Sequence, residues 1–355
     1  MKEVAIVTYS TWTSYGSLLQ SYALKWFLKE KFELNSEILL DNKNNNQYKT
    51  KSNRINLKSF TRDCIEKIIT RNKKKQIYCK NIAFASDFLE YVEFSNYEEL
   101  KNDLSTYKLY LAGSDQIFHP DLCKSLFFLD FVSQDCVRAS YAASMGKTSI
   151  REDRINEFSR LVKNFDFLSV REKDNAPVIG KFYNGNIDIH IDPTFLVEKE
   201  DWKKIEKPYS ISGKYILVYP LFWDTKYNHQ LAELEKEAGI KIVTIATGLT
   251  RAYGKKLYDV GVEEFLWLID HAEAVVTSSF HGVALSTIFN KKIAVIVNPD
   301  SPSRITCLKE LLDLKTLDIK DLISGSMDYS HVNDRIKEER TRSYDYLNTV
   351  INYEK

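Results

Sequence analysis

Apolar residues in this chain fall in two alternating patterns. Val4 to Tyr9 is a compact apolar run, and after a polar turn Leu18, Leu19, Tyr22, Ala23, Trp26 and Phe27 recur at spacings of one, three and four. The first pattern has the length of a buried strand; the second lays one apolar stripe along a helix. Further strand-like runs occur at Glu37 to Leu40, Leu109 to Ala112, Arg138 to Ala142, Phe167 to Val170 and Ile187 to Ile191, with helical patterns near 151–164 and 173–181. Around Glu198 to Gly213 the chain becomes charged and turn-prone, and Tyr215 to Tyr219 opens a second series. That series predicts helices at 226–238, 262–272, 281–289 and 304–313 and strands at 240–246, 274–277 and 292–297.

Such alternation predicts an α/β fold with parallel, doubly wound sheets. At 355 residues the chain exceeds what one core usually supports, so two Rossmann-like domains facing a cleft are expected. The expected division is 1–205, 206–328 and a polar helix within 329–355 that packs back on the first domain.

Composition narrows the class. Fifty Lys and Arg against 49 acids give a formal charge of +1, which excludes a generally nucleic-acid-coating surface. Residues 41–80 stand apart, with 12 basic and three acidic residues and the run Arg71-Asn72-Lys73-Lys74-Lys75. A solvated, helix-bearing insertion is one reading; a surface for anionic lipid or an acidic glycan carrier is the other. Five widely spread cysteines without ligand spacing fit a reducing cytosol. Met1 leads straight into a short strand, and no run nears the roughly 20 apolar residues of a membrane helix. The expected location is the cytoplasm, with contact at the inner face of the membrane left open. No Gly-x-Gly-x-x-Gly, Walker lysine or paired histidines occur, so neither a metal nor a cofactor is expected.

Four polar clusters follow strand-like runs: Gly113-Ser114-Asp115-Gln116, Ser169-Val170-Arg171-Glu172, Ser278-Ser279-Phe280-His281-Gly282 and Ser301-Pro302-Ser303-Arg304. Ligand crevices of parallel sheets lie beyond the carboxyl ends of the strands, so these clusters are candidates for one site. His281, near a helix N-terminus, is a candidate proton carrier; a satisfied structural histidine is the alternative. Arg304, with Ser303 as candidate N-cap, and Arg171, beside Glu172, are candidate anion ligands; an exposed helix-start arginine and a structural salt bridge are the alternatives. Asp115 is a candidate base for a sugar hydroxyl, or merely a cap with Ser114. Ser10 to Gly16 offers hydroxyls and aromatic faces that suit a carbohydrate, with Trp12 either there or in the core.

With these clusters in place the chain resembles the polysaccharide pyruvyltransferase family. The resemblance runs through Ser14-Tyr15-Gly16-Ser17-Leu18-Leu19-Gln20, Tyr22-Ala23-Leu24, Gly113-Ser114-Asp115-Gln116 and Tyr141-Ala142-Ala143-Ser144-Met145-Gly146. It continues through Ser169-Val170-Arg171-Glu172-Lys173, Asp192-Pro193-Thr194, Glu264-Phe265-Leu266, Ser279-Phe280-His281-Gly282 and Ser303-Arg304-Ile305. Ser14 and Phe118 stand where the family usually has Asn and Trp.

The resemblance implies a glycosyltransferase B-like architecture and transfer of pyruvate from phosphoenolpyruvate onto a sugar as a ketal, in building a cell-surface exopolysaccharide or capsule. Its implied acceptor is a saccharide on a lipid or nucleotide carrier. On that reading His281 and Asp115 are catalytic; Arg171, Arg304, Ser279 and Ser303 bind the donor; and Trp12, Tyr15, Gly16, Ser114 and Gln116 face the acceptor. A nucleotide-sugar-dependent glycosyltransferase of the same shape, and a non-catalytic glycan-binding protein, are the competing expectations.

Overall fold

The computed structural model describes residues 2–41, 62–94, 107–246, 250–299 and 303–355. In the N-terminal half, strands β1 (Lys2–Val7), β2 (Ser36–Asp41), β3 (Tyr91–Phe94), β4 (Tyr107–Ala112) and β5 (Val137–Ser140) form one parallel sheet in the order β3-β2-β1-β4-β5. Strands β6 (Leu168–Val170) and β7 (Ile187–Ile189) pair in parallel, and single bridges Ala139–Phe167 and Ala143–Val170 carry this sheet on from β5.

The C-terminal half repeats the plan with β8 (Tyr215–Tyr219), β9 (Lys241–Ile245), β10 (Lys255–Leu257), β11 (Ala274–Thr277) and β12 (Lys292–Val295). Their order is β10-β9-β8-β11-β12, again all parallel. Every side chain of β8 is buried, as a strand covered by helices on both faces requires. In both sheets the winding reverses beside the first strand, so the crevices open between the ends of β1 and β4 and of β8 and β11.

The helices are α1 (Tyr15–Phe32), α2 (Arg62–Phe88), α3 (Ile155–Val162), α4 (Ala176–Ile179), α5 (Lys199–Lys203), α6 (Tyr227–Ala238), α7 (Val262–Asp270), α8 (Phe280–Ile288), α9 (Ser303–Leu312) and α10 (Ser330–Ile351). Strands β3 and β10 escape the sequence pattern because both are short edge strands that bury little: Tyr91-Val92-Glu93-Phe94 and Lys255-Lys256-Leu257. Of the basic segment 41–80, residues 62–80 lie in α2, the crossover from β2 to β3; residues 42–61 lie outside the described ones. Among the described residues no helix is long and apolar enough to cross a membrane.

The two halves are pinned together. Lys80 Nζ donates to Asp259 O and to Glu264, each at 2.7 Å, and fully buried Asn81 donates to Trp12 O at 2.7 Å while accepting from Val262 N at 3.0 Å. The Tyr15 hydroxyl donates to Val260 O at 2.7 Å, and its ring stacks on Phe265 at 4.7 Å. Helix α10 spans both halves: Arg335 Nη2 donates to Leu311 O at 3.2 Å, Arg340 Nη2 to Val197 O at 3.1 Å, and the Tyr346 hydroxyl to Ser140 O at 2.7 Å.

Candidate active site

Strand β11 stops at Thr277 and the chain turns directly into α8. Ser279 caps that helix, its Oγ accepting from Gly282 N at 3.2 Å, and Ser278 Oγ accepts from the amides of Leu221 and Phe222 at 3.0 and 2.8 Å, tying down the loop after β8. His281 therefore sits in the first turn of a rigidly seated helix, with its side chain largely buried. Its ring lies against Gly16, in the first turn of α1, so closely that a β-carbon at 16 would overlap the imidazole. Two helix N-termini, one from each half, thus meet around one imidazole.

Asp192 brings the charged residues together. It is 1% exposed; its Oδ2 accepts from Arg171 Nη1 at 2.7 Å and from Ser114 Oγ at 3.0 Å, and lies 3.7 Å from His281 Nε2. Its Oδ1 accepts from Thr194 N at 3.0 Å and Thr194 Oγ1 at 2.8 Å. Burial alone raises a carboxyl pKa, but the adjacent His281, Arg171 and the Thr194 amide outweigh it and hold Asp192 well below the usual range. The sequence placed Asp192 in the Asp192-Pro193-Thr194 fragment of the family resemblance but gave it no role in the site. The available signal was an Asp before Pro directly after a strand-like run, the pattern of a capping residue, and Asp192 does cap the turn Pro193–Leu196.

Arg171 is 5% exposed, and its Nε donates to Glu172 Oε1 at 2.8 Å. Its guanidinium lies 4.0 Å from the centroid of the Phe280 ring, across the junction between the halves. Burial opposes its charge, but Glu172, Asp192 and Asp115 more than compensate and raise its pKa. Arg304, in the first turn of α9, donates through Nη1 and Nη2 to the Gln116 amide oxygen at 2.7 and 3.3 Å, the amide orientation that its surroundings require. Burial and the nearby Arg171 lower the Arg304 pKa, partly offset by Asp115 and Glu172. Arg171 Nη2, Arg304 Nε, Glu172 Oε2 and His281 Nε2 are buried without hydrogen-bond partners. Arg171, Glu172, Asp192, Phe280, Arg304 and Leu308 line a narrow crevice between the halves.

Of the remaining sequence candidates, Ser114 is buried in this network, and Asp115 follows it with a left-handed backbone, φ 73°, and its Oδ1 on Gln116 N at 2.9 Å. Ser303 opens α9, while Ser301 and Pro302 lie outside the described residues. Arg171 forms the structural ion pair with Glu172 that was the alternative reading, and Asp192 holds it as well. Tyr15 departs from expectation: 2% exposed, with its hydroxyl spent on Val260, it joins the halves and does not face a sugar. Trp12 packs edge-on against Tyr78 at 5.5 Å beside that joint. Glu264 and Phe265 belong to the same joint, so the motif residues divide between a charged crevice and a lobe-joining set. Phe118 is fully buried and stacks on Phe128 at 4.8 Å, while Ser14 caps α1, a position that serine and asparagine fill equally well.

A sequence profile settles the lineage of this arrangement, matching residues 15–301. The chain belongs to the polysaccharide pyruvyl transferase family. No curated protein matches its sequence. Among solved structures it is similar to a Listeria monocytogenes protein whose proposed identity is a UDP-N-acetylglucosamine 2-epimerase, with TM-score 0.53, 10% identity, and 98% of this chain and 96% of that chain covered. It is likewise similar to the UDP-GlcNAc 2-epimerase of Methanocaldococcus jannaschii, with TM-score 0.51, 10% identity, and 94% and 91% covered. At such identities the likeness is one of fold: two Rossmann-like domains in a glycosyltransferase B-like arrangement.

Away from the crevice, Glu206, Asp270 and His271 bring ligand-capable atoms within 4.8 Å of one another. Lys291 and Lys199 stand 3.8 and 3.9 Å from Asp270 and already supply positive charge there.

Proposed function

We propose that this member of the family transfers pyruvate from phosphoenolpyruvate onto a sugar of a cell-surface polysaccharide precursor, forming a cyclic ketal. One observation carries the reading: two guanidiniums converge in one buried crevice, each with an unpartnered nitrogen, and the pKa of Arg304 is lowered by burial and by Arg171. Arg304, opposed by burial and by Arg171 and paired with no carboxylate among the described residues, is the cation that a compact anion would relieve, and phosphoenolpyruvate carries up to three negative charges in a small volume.

Ketal formation then asks for a proton at the methylene carbon. His281, 3.7 Å from the Asp192 carboxylate, is the acid that supplies it. The proton makes the methylene a methyl group and leaves an oxocarbenium-like centre on the neighbouring carbon. A sugar hydroxyl attacks that centre, its proton passing to Asp115 or to a phosphate oxygen. Phosphate departs, and a second hydroxyl of the same sugar closes the ring, its proton returning to His281. No step calls for a metal or a cofactor.

The acceptor is proposed to be carried on a nucleotide or lipid in the cytoplasm, at or near the inner face of the membrane. Two relatives by fold are described as acting on a nucleotide-linked sugar, and the basic stretch 41–80 offers charge to an anionic carrier. The test incubates the protein with phosphoenolpyruvate and a panel of carrier-linked saccharides. Phosphate release with the mass gain of a pyruvate ketal is expected. Calorimetric binding of UDP-sugars without binding of phosphoenolpyruvate would overturn the assignment in favour of a glycosyltransferase.

A further inference from the structure

Beside Asp115 lies an aromatic and cationic surface that the proposed chemistry leaves unused. Tyr9 follows β1, and Asp115 follows β4, the strand paired with β1 at the point where the winding reverses. The Tyr9 carbonyl accepts from Ser17 Oγ at 2.7 Å, Gln20 Nε2 at 2.8 Å and Ser21 Oγ at 3.2 Å, so three donors of α1 hold its backbone in place. Its ring packs against buried Phe127, centroids 4.4 Å apart, and is only partly buried. The Lys124 ammonium stands 5.3 Å from the Tyr9 centroid and 5.8 Å from that of Phe127. Among the described residues Lys124 makes no ion pair; the nearby Lys147 and Asp121 are paired with each other. Burial and the charge of Asp115 push the Tyr9 hydroxyl up to about 12, which keeps it a neutral donor at any working pH.

A fixed aromatic face offers the C–H side of a pyranose a low-entropy platform, and its hydroxyl and the neighbouring ammonium add polar contacts at the edge. An unpaired ammonium beside that face favours a ligand bearing negative charge. We propose that Tyr9 and Lys124 form the acceptor subsite next to Asp115, and that Lys124 selects a saccharide carrying an anionic group close to the sugar that receives the ketal. That group is the carboxylate of a uronic acid or a sugar phosphate. The assignment rests on the proposed function, in which Asp115 marks the acceptor side. Tyr9 and Lys124 thus take the role that the sequence suggested for Tyr15 and Trp12.

The experiment measures binding of methyl glucuronide, glucose 1-phosphate and neutral methyl glucoside to the full-length protein by saturation-transfer NMR, with phosphoenolpyruvate binding measured in parallel by calorimetry. The wild type is expected to prefer the two anionic sugars. Lys124→Met, which keeps the apolar stem, should erase most of that preference, about tenfold, and leave phosphoenolpyruvate binding unchanged. Tyr9→Phe should weaken all three sugars. Retention of the wild-type preference by Lys124→Met, or equal binding of all three sugars to the wild type, overturns the subsite. Glucuronide preferred without glucose 1-phosphate identifies a carboxylate as the feature read; the converse identifies a phosphate. Absence of phosphoenolpyruvate binding in the wild type would instead strike at the transferase assignment, so the two failures are distinguishable.

Discussion

His281 and Gly16 occupy each other's space: a β-carbon on residue 16 would run into the imidazole, Nδ1 and Cγ first, with Cε1 at 2.7 Å. The imidazole of one half is therefore positioned by the absence of a side chain on the other. Gly16→Ala should fold, since position 16 lies inside a helix, but push the ring away from Asp192. Misplacement of a catalytic group by about 1 Å costs on the order of 10²-fold, so a comparable fall in the rate of phosphate release is expected. His281→Asn, which removes the acid while preserving volume, should lose about 10²- to 10⁴-fold.

Asp192, 1% exposed, accepts from Arg171, Ser114 and Thr194, so Asp192→Asn leaves Arg171 with a buried charge short of one partner. A loss of about 3 kcal/mol in urea unfolding is expected. The carboxyl is held below its unfolded value, so its contribution is present above the ordinary carboxylate range and lost as pH falls below it. The wild type should therefore lose more stability than Asp192→Asn on acidification below about pH 4, which melting temperatures across that range would reveal.

Arg304 reaches Gln116 on the other half with two donors that converge on its amide oxygen. Lysine keeps the charge and loses the planar pair of donors. Arg304→Lys is expected to weaken phosphoenolpyruvate binding by about ten- to a hundredfold in calorimetry, with little change in melting temperature.

His190 lies between the rings of Tyr141 and Tyr346, centroids 5.9 and 4.6 Å away, and neither of its nitrogens has a hydrogen-bond partner. Burial, aided by Arg342, lowers its pKa from 6.5 to about 4. Between those values the unfolded chain binds a proton that the native protein refuses, so stability is full above pH 6.5 and drains as pH falls toward 4. His190→Phe should flatten that slope: its melting temperature relative to wild type should rise between pH 7.5 and pH 5.

Asn81 holds Trp12 O and Val262 N, two backbone groups from opposite halves. Asn81→Leu strands both and should cost about 2–3 kcal/mol. Amide exchange should quicken first around 259–265, where the halves are joined.

The two parallel sheets were readable because buried parallel strands are written as continuous apolar runs; Tyr215 to Tyr219 and Ala274 to Thr277 could hardly form anything else. The edges were not readable, since β3 and β10 are short and bury little. His281, Arg171 and Arg304 were legible as candidates because each follows a strand and bears a group that binds or carries charge. Asp192 was not, because a capping aspartate and a buried charge hub have the same local sequence.

By itself the sequence determined that two parallel sheets form and that polar groups gather past their strand ends, since periodicity and turn chemistry are local properties. Only the tertiary structure decided which of those groups share a site and which join the halves. It turned Tyr15 inward as a strut, paired Arg171 with Asp192 as well as with neighbouring Glu172, and brought the strand ends that lead to Tyr9 and Asp115 side by side. Burial and pairing depend on residues more than a hundred positions apart, such as Tyr15 and Val260 or Lys80 and Glu264, and no local pattern encodes such distances.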